Sequence, residues 1–153
     1  MIKRSAIAAV ALSASAFVGL TMLENYRAVA YTPVSGDVPT IGFGTTEGVR
    51  IGDAITPPKA LARALADVSR FEAALKKCIS VPVHQYEYDA FVSLTYNIGA
   101  HAFCNSTLVE KLNAGNYDGA CAEIRRWNRQ GGKVLPGLTK RREAEYKQCM
   151  GMA

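Results

Sequence analysis

The stretch Thr40-Ile41-Gly42-Phe43-Gly44-Thr45 decides the fold of this chain. It contains one of three short β-type runs, which are Tyr31 to Val34, Thr40 to Phe43 and Val49 to Ile51. Turn-forming segments rich in Ser, Gly, Thr and Asp separate the runs. Residues 31–51 therefore predict a small three-stranded antiparallel sheet.

The rest of the folded part has helical periodicity. Thr56-Pro57-Pro58 is a helix start, because a hydroxyl can cap the first turn and a proline there loses no hydrogen bond. Apolar residues then recur at helical spacing from Leu61 to Leu75 and again from about Tyr86 to Gly99. Further helices are predicted after Asn105 or Ser106, after Asn116, and from Leu138 to Met150. The predicted fold class is α+β, with a small sheet beside a mainly helical lobe and a substrate cleft between them.

Residues 1–23 differ from the rest of the chain. Lys3 and Arg4 form a positive start, and the nineteen residues from Ser5 to Leu23 carry no charge. This is about the length that a helix needs to cross a bilayer of about 30 Å. Eleven of the nineteen are Ala, Ser, Gly or Thr, which gain little on entering hydrocarbon. Residues 5–23 are therefore predicted to form a weak signal-anchor helix that tethers the chain to the inner membrane.

A cleavable signal peptide is the alternative, because Ala14-Ser15-Ala16 has the small-x-small form of a cleavage site. The mature chain would then begin at Phe17. In both interpretations the domain is exported to the periplasm. The 153 residues, 49% of them apolar, are enough for one core, so residues 24–153 are expected to form a single domain. We expect a monomer.

Four cysteines, Cys78, Cys104, Cys121 and Cys149, lie in the C-terminal half. An even number in an exported chain indicates disulfides. Of the three possible pairings we prefer Cys78 with Cys104 and Cys121 with Cys149, because the second pair would join two predicted helices. No metal site is expected, because the spacing matches no zinc motif.

The net charge of +5 is concentrated in residues 125–147. This segment contains eight cationic residues and only two acidic ones, Glu143 and Glu145. The cationic residues are Arg125, Arg126, Arg129, Lys133, Lys140, Arg141, Arg142 and Lys147. No nucleic-acid motif or interleaved aromatic residue accompanies them, so we expect no nucleic-acid partner. An anionic polymer of the cell envelope fits better, and a plain solvated helix face is the alternative.

Several motifs together resemble one family. Glu24, then Tyr31, then residues 40–45 resemble the Glu…Tyr…Thr-Ile-Gly-Tyr-Gly signature of the phage-type lysozymes, glycoside hydrolase family 24. Residues 90–99 resemble the central helix of that family, and residues 106–143 resemble its C-terminal lobe. The weakly apolar N-terminus resembles the signal-arrest-release subclass, in which the anchor is exported uncleaved and later leaves the membrane. No cysteine precedes Cys78, so we expect activation by this change of topology rather than by disulfide exchange.

The resemblance implies an endolysin that hydrolyses the β-1,4 bond between N-acetylmuramic acid and N-acetylglucosamine in peptidoglycan, without a cofactor. Such a reaction needs an acid that protonates the leaving oxygen. Glu24 matches the acid, and Thr40 matches a threonine that holds the attacking water. Tyr31, Gly42 and Gly44 are expected at the substrate, although the glycines could instead permit tight strand contacts. Trp127 is expected in the core.

The second carboxylate departs from the family pattern. An Asp or Cys is expected two residues after Tyr31, but Pro33 occupies that position and the hairpin is one residue longer. Asp37 is the nearby acid, and it either takes over this catalytic role or is only a turn residue. A lytic transglycosylase that uses Glu24 alone is therefore an alternative, and a non-catalytic wall-binding module is another.

Overall fold

A computed structural model describes residues 3–152. The contacts divide these residues into two compact units, residues 14–70 and residues 3–13 together with 71–152. The expected boundary after residue 23 separates an export segment from a domain, and it stays a prediction.

The first unit, residues 14–70, carries an antiparallel hairpin whose second strand lies in the predicted run from Thr40 to Phe43. The predicted strand from Tyr31 to Val34 is wrong, since the first strand is Arg27–Tyr31 and ends where the predicted one begins. Helix α1 (Ala14–Glu24) leads into strand β1 (Arg27–Tyr31), which pairs antiparallel with β2 (Thr40–Gly42). Helix α2 (Pro57–Cys78) begins in this unit. The unit has a small core, which consists of Ala30 on β1, Ile41 on β2 and Val49, with Ile55 packed against it.

The predicted third strand is wrong. Residues 49–51 lie in a turn, and a single bridge between Val29 and Ala54 takes the place of a third strand. The reason is local, since Gly48 and Gly52 on either side of the run have φ of 67° and 97°. The amide of Arg50 donates to Asp53 Oδ2 at 2.8 Å and the amide of Asp53 donates to the Arg50 carbonyl at 3.0 Å, which closes the turn.

The second unit is mainly helical. Its helices after α2 are α3 (Gln85–Ile98), α4 (Ala100–Cys104), α5 (Thr107–Asn113), α6 (Tyr117–Glu123) and α7 (Pro136–Cys149). Short 3-10 segments cover Ile7–Ala9 and Ile124–Arg126. Helix α3 lies at the centre and packs against α7. Its fully buried side chains include Tyr88, Phe91, Val92 and Leu94, which form the apolar stripe expected from the sequence.

The helical unit also contains a second hairpin and two helices with capped N-termini. Strands β3 (Arg129–Gln130) and β4 (Lys133–Val134) form a second antiparallel hairpin that the sequence analysis missed. Its turn is Gly131-Gly132, where φ is 56° and 78°, as the tight hairpin turn with two left-handed residues requires. Ser106 caps α5 and Asn116 caps α6, each accepting a hydrogen bond from the backbone.

Two disulfides join the helices of this unit. Cys78 at the end of α2 is bonded to Cys104 at the end of α4, and Cys121 in α6 is bonded to Cys149 in α7. This is the pairing that the sequence analysis preferred. The second bond is buried, since both of its cysteines lie in the core.

The N-terminal residues do not form one long helix in this structure. The 3-10 segment Ile7–Ala9 and α1 are separated by residues 10–13, which have no helical structure. Within residues 3–152, no helix is both long and apolar enough to cross a membrane. The first two residues of the predicted segment lie outside the described part.

Candidate active site

Glu24 is the last residue of α1 and is half-buried. The next residue, Asn25, has φ of 52°, a left-handed conformation that Asn tolerates better than most residues. The helix therefore stops sharply, and the chain turns into β1 directly after the carboxylate. A fixed turn of this kind limits the positions that the Glu24 side chain can reach.

Tyr26 ties this turn to the rest of the unit. Its hydroxyl donates to the Ile55 carbonyl at 2.6 Å, and its ring lies 5.6 Å from the ring of Phe43. Sequence analysis did not identify Tyr26 as part of the site. An aromatic residue two positions after a candidate acid was the only signal, and its partners are 17 and 29 residues away.

Thr40 begins β2 and lies opposite Tyr31 on β1, so two of the expected site residues are neighbours across the hairpin. The Thr40 side chain is buried, and its hydroxyl donates to the Val38 carbonyl at 3.3 Å. A hydroxyl has one proton and two lone pairs, so Oγ1 can still accept a hydrogen bond from a water molecule.

Gly42 is required by packing. It has φ of 64°, and a Cβ at this position would lie 2.9 Å from the Cβ of Ala60 on α2. This close approach is to a helix rather than to a strand, and the expected place of Gly42 at the substrate stays a prediction. Gly44 also has a left-handed conformation, with φ of 87°, and is half-buried.

The segment that follows β2 is fixed to α2. Thr45 pairs with Ile41 through two backbone hydrogen bonds of 2.9 and 3.1 Å, and its hydroxyl donates to Asp67 Oδ2 at 2.6 Å. Arg70 donates to the other oxygen of Asp67 at 2.5 Å and also pairs with Glu47. Burial raises the pKa of Asp67, and the Thr45 hydroxyl opposes this change. These contacts hold the strand that carries Thr40.

Asp37 ends a turn. Its amide donates to the Val34 carbonyl at 2.9 Å, and Gly36 within the turn has φ of 89°. The Asp37 side chain is exposed, as is that of Pro33. The structure therefore gives Asp37 the local geometry of a turn residue, at the loop end of the hairpin that Tyr31 and Thr40 close.

In the helical unit, two arginines of the cationic segment are not on the surface. Arg142 is only 1% exposed, donates to Asn97 Oδ1 at 2.9 Å and lies 3.1 Å from Glu145. Arg141 donates to Glu145 Oε1 at 3.2 Å, and Ser93 donates to the same oxygen at 2.7 Å. Because α3 supplies two of these polar partners, the arginines belong to the packing of α3 against α7.

Trp127 is half-buried and lines two depressions on the helical unit, of about 380 and 340 Å³. Trp127 was expected in the core, but part of its side chain is exposed at these depressions. The side chains that line the first depression include Asn105, Ser106, Glu123 and Arg126, and those of the second include Asn97, Arg129 and Gln130. A tryptophan beside polar groups can contact a sugar ring and its hydroxyls. The Arg-Trp pair was visible in the sequence, but its surroundings were not.

Glu123 at the first depression is held by two cations. Lys111 donates to Glu123 Oε1 at 2.5 Å and Arg126 donates to Oε2 at 3.1 Å. Lys111, and then Arg126, keep the pKa of Glu123 below its usual value near 4.5. Because the folded-state pKa is lowered, the ion pair stabilises the fold above the unfolded-state pKa, and this contribution is lost as the pH falls through the folded-state value.

Replacing Lys111 with Met is therefore expected to cost about 0.5 kcal/mol near pH 7, a small value because the pair is partly exposed. The cost is expected to shrink as the pH is lowered from about 5 to 3. Urea unfolding of both proteins at several pH values measures it, with Lys140→Met on the exposed side of α7 as the control. A cost that does not change with pH would contradict the assignment.

No group of three or more His, Cys, Asp or Glu side chains that could hold a metal ion occurs among residues 3–152.

The chain is similar to known phage enzymes over most of its length. A family model described as phage lysozyme matches residues 21–145. An endolysin of Acyrthosiphon pisum secondary endosymbiont phage 1 is 44% identical over an alignment of 134 residues, which covers 83% of this chain and 91% of the relative. A SAR-endolysin of Pseudomonas phage phiKMV is 38% identical over 90% of this chain and 87% of its own. The solved endolysin from Escherichia coli O157:H7 phage FAHEc1 has a TM-score of 0.81 and 37% identity, covering 95% of this chain and 96% of its own. With the hairpin and the helical unit in place, these similarities show that the chain belongs to the phage lysozyme family, as a glycoside hydrolase of the signal-arrest-release endolysins.

Proposed function

We propose that this endolysin hydrolyses the β-1,4 bond between N-acetylmuramic acid and N-acetylglucosamine, with Glu24 as the general acid. The observation that carries the proposal is the position of Glu24. It ends α1 at a fixed left-handed turn, two residues before Tyr26, whose hydroxyl donates to the Ile55 carbonyl. A general acid has to be held within hydrogen-bond reach of the leaving oxygen, and such a turn restricts the side chain accordingly.

Thr40 is proposed to hold the attacking water. Its donor proton is used on Val38, so its lone pairs are left to accept from the water. In the reaction Glu24 gives its proton to the leaving oxygen as the glycosidic bond breaks. The water then adds to the oxocarbenium-like carbon and gives a proton to the second carboxylate, for which Asp37 is proposed below. The contact of Thr45 with Asp67 supports this role, because it limits movement of β2.

Asp37 is proposed as the second carboxylate. The competing assignment is that Asp37 is only a turn residue. Its exposed side chain and its place between Tyr31 and Thr40 leave it accessible to substrate. If Asp37 acts on the water, Asp37→Asn reduces the rate of hydrolysis at least about tenfold. If it is only a turn residue, the rate stays close to that of the wild type, because Asn suits the same turn.

The alternatives predict different products. Digested peptidoglycan analysed by mass spectrometry is expected to contain new reducing ends, because water is the nucleophile. Anhydro-muramic ends would instead assign the protein as a lytic transglycosylase, in which the 6-hydroxyl of the sugar attacks. The half-buried Trp127 and the polar side chains around it support a saccharide polymer as the substrate in each case.

The proposed localisation is tethering to the inner membrane through residues 5–23, followed by release into the periplasm as a monomer. The uncharged stretch and its many small residues support a weak anchor. N-terminal sequencing of the periplasmic protein is expected to begin at or next to Met1. A chain that begins at Phe17 would instead support a cleaved signal peptide.

A further inference from the structure

A depression of about 710 Å³ lies on the surface of α7, next to β4. Five of the residues that line it form what we call the lysine face: Val134, Pro136, Lys140, Ala144 and Lys147. All five are exposed, and the four that belong to α7 recur at helical spacing, so they share one side of the helix. The other side of α7 carries the buried Arg142, Glu145 and Cys149. The lysine face is thus the part of α7 that the helical unit leaves open to solvent.

The two lysines of this face differ from most cations of the segment 125–147. Four arginines of that segment form ion pairs, which are Arg125 with Glu143, Arg126 with Glu123, and Arg141 and Arg142 with Glu145. In the part of the chain that the structure describes, Lys140 and Lys147 form no ion pair within 4 Å. Their ammonium groups are therefore available to an anion outside the protein.

One carboxylate, that of Glu143, also lines the depression. Arg125 donates to both of its oxygens, at 2.9 and 3.1 Å, and the guanidinium lies 3.4 Å from the centre of the Tyr146 ring. Arg125, and to a lesser extent Lys147, lower the pKa of Glu143, so the carboxylate stays charged. Since Arg125 already balances this negative charge, the lysine face keeps a net positive charge.

The chemistry of this face differs from that of the two depressions beside Trp127. Those contain an indole ring and the amide side chains of Asn and Gln, which suit a sugar ring and its hydroxyls. The residues that line the depression on α7 include neither an aromatic ring nor an amide side chain. They offer aliphatic groups beside two ammonium groups, and a lysine can lay its methylene stem on an apolar surface while its charge stays in water. A bilayer of anionic lipids presents the complementary groups, since its phosphates lie above hydrocarbon.

We propose that the lysine face docks on the surface of an anionic phospholipid bilayer, with Lys140 and Lys147 at the phosphates and Val134 and Pro136 against the first methylene groups. This contact belongs to the folded C-terminal part of the chain and is separate from the proposed anchor in residues 5–23. It does not depend on which reaction the enzyme catalyses. Its electrostatic part weakens as salt is added, because ions screen exposed charges.

Two double variants of the full chain form a matched pair. Lys140→Gln with Lys147→Gln and Lys59→Gln with Lys77→Gln each remove two charges from exposed lysines, but only the first pair lies on the lysine face. Binding is measured by cosedimentation with phosphatidylcholine vesicles that either contain or lack phosphatidylglycerol. The wild type is expected to prefer the anionic vesicles, and the lysine-face variant to lose at least about tenfold of that preference. The control variant is expected to keep most of it. Residues 5–23 are uncharged and unchanged in both variants, so their own affinity for lipid cancels in the comparison.

A second pair of variants tests the apolar part of the contact. Val134 and Val29 are 48% and 57% exposed, and replacement of either by Thr changes polarity at nearly constant size. Val134→Thr is expected to weaken binding to the anionic vesicles about threefold, because an apolar group that leaves water is lost. Val29→Thr is expected to bind as the wild type does. Neither variant changes a charge, so the difference between them is expected to persist at high salt.

Equal preference of the two lysine double variants for anionic vesicles would overturn the proposal. Two further measurements identify a different occupant. If the lysine-face variant lost binding to lipid-free peptidoglycan, in a Glu24→Gln background that leaves the polymer intact, but kept its binding to vesicles, the face would belong to the cell wall. If the variant changed the oligomeric state in sedimentation velocity without lipid, the face would be an interface between copies of the chain. Either result would overturn docking on a bilayer. The lysine-face variant is expected to release muropeptides from isolated peptidoglycan as the wild type does, so failure of the proposed reaction and failure of this docking are observed separately.

Discussion

Glu24→Gln is expected to lower the rate of peptidoglycan hydrolysis by about 10³-fold, within the range that loss of a general acid produces. Glutamine has nearly the same size and keeps an acceptor oxygen, so α1 and the turn at Asn25 are expected to be unaffected. The variant removes the proton that the leaving oxygen needs. The rate is measured as the clearing of permeabilised cells and as the release of muropeptides at equal protein concentration.

Glu110→Gln is the matched control, because Glu110 is an exposed glutamate in α5 and is not among the proposed site residues. It is expected to clear cells as the wild type does. Equal clearing by Glu24→Gln and the wild type would remove Glu24 from the reaction. If neither the wild type nor Glu24→Gln released fragments but both bound the cell wall, the chain would be a wall-binding module.

Removal of the buried disulfide is expected to have the largest effect on stability. Cys121 and Cys149 are 28 residues apart in sequence. Opening a loop of this size increases the entropy of the unfolded chain and costs about 3.5 kcal/mol in the chain-entropy model. The double variant Cys121→Ala with Cys149→Ala is therefore expected to unfold at a much lower denaturant concentration. Alanine is the suitable replacement because both positions are buried.

Denaturant unfolding of the oxidised protein measures this cost. The double variant Cys78→Ala with Cys104→Ala is a useful comparison, because its loop of 26 residues predicts a similar cost from chain entropy. Cys78 and Cys104 are only half-buried, so any additional loss in the Cys121 and Cys149 variant measures packing of α6 against α7. An unfolding midpoint equal to that of the wild type would show that the bond contributes nothing to stability.

Helices were the elements that could be predicted best from the sequence. The apolar spacing of α3 and the start of α2 at Pro57 depend on residues within a few positions of each other, so local pattern was sufficient. Strands were harder. The run from Val49 to Ile51 has β-type residues, but the turn between Arg50 and Asp53 prevails. The β3–β4 hairpin has strands of two residues, which are too short for a pattern.

The candidate site was partly predictable for the same reason. Glu24 and Thr40 stand in a short motif, but the position and register of β1 could not be predicted, because its pairing with β2 is irregular between Arg27 and Tyr31. The residues that hold Glu24 and Thr40 in place could not be predicted from the sequence. Tyr26 is bonded to Ile55 and Thr45 to Asp67, across 29 and 22 positions, and neither pair has a periodicity that could reveal it. Arg142 looked like a surface cation because its partner Asn97 lies 45 positions away.

The sequence by itself determined the family and the candidate acid, because each depends on short motifs. It allowed three cysteine pairings, and the structure decided for the one that we preferred. Tertiary structure alone decided that Gly42 is needed against Ala60 and that Arg142 is buried beside Glu145. It also decided where residues 3–13 go in the folded chain. Residues 3–13 are mostly small and apolar, which suits either a bilayer or a protein surface. The carboxylates of Glu72, Glu87 and Asp89, brought together by folding, favour the second.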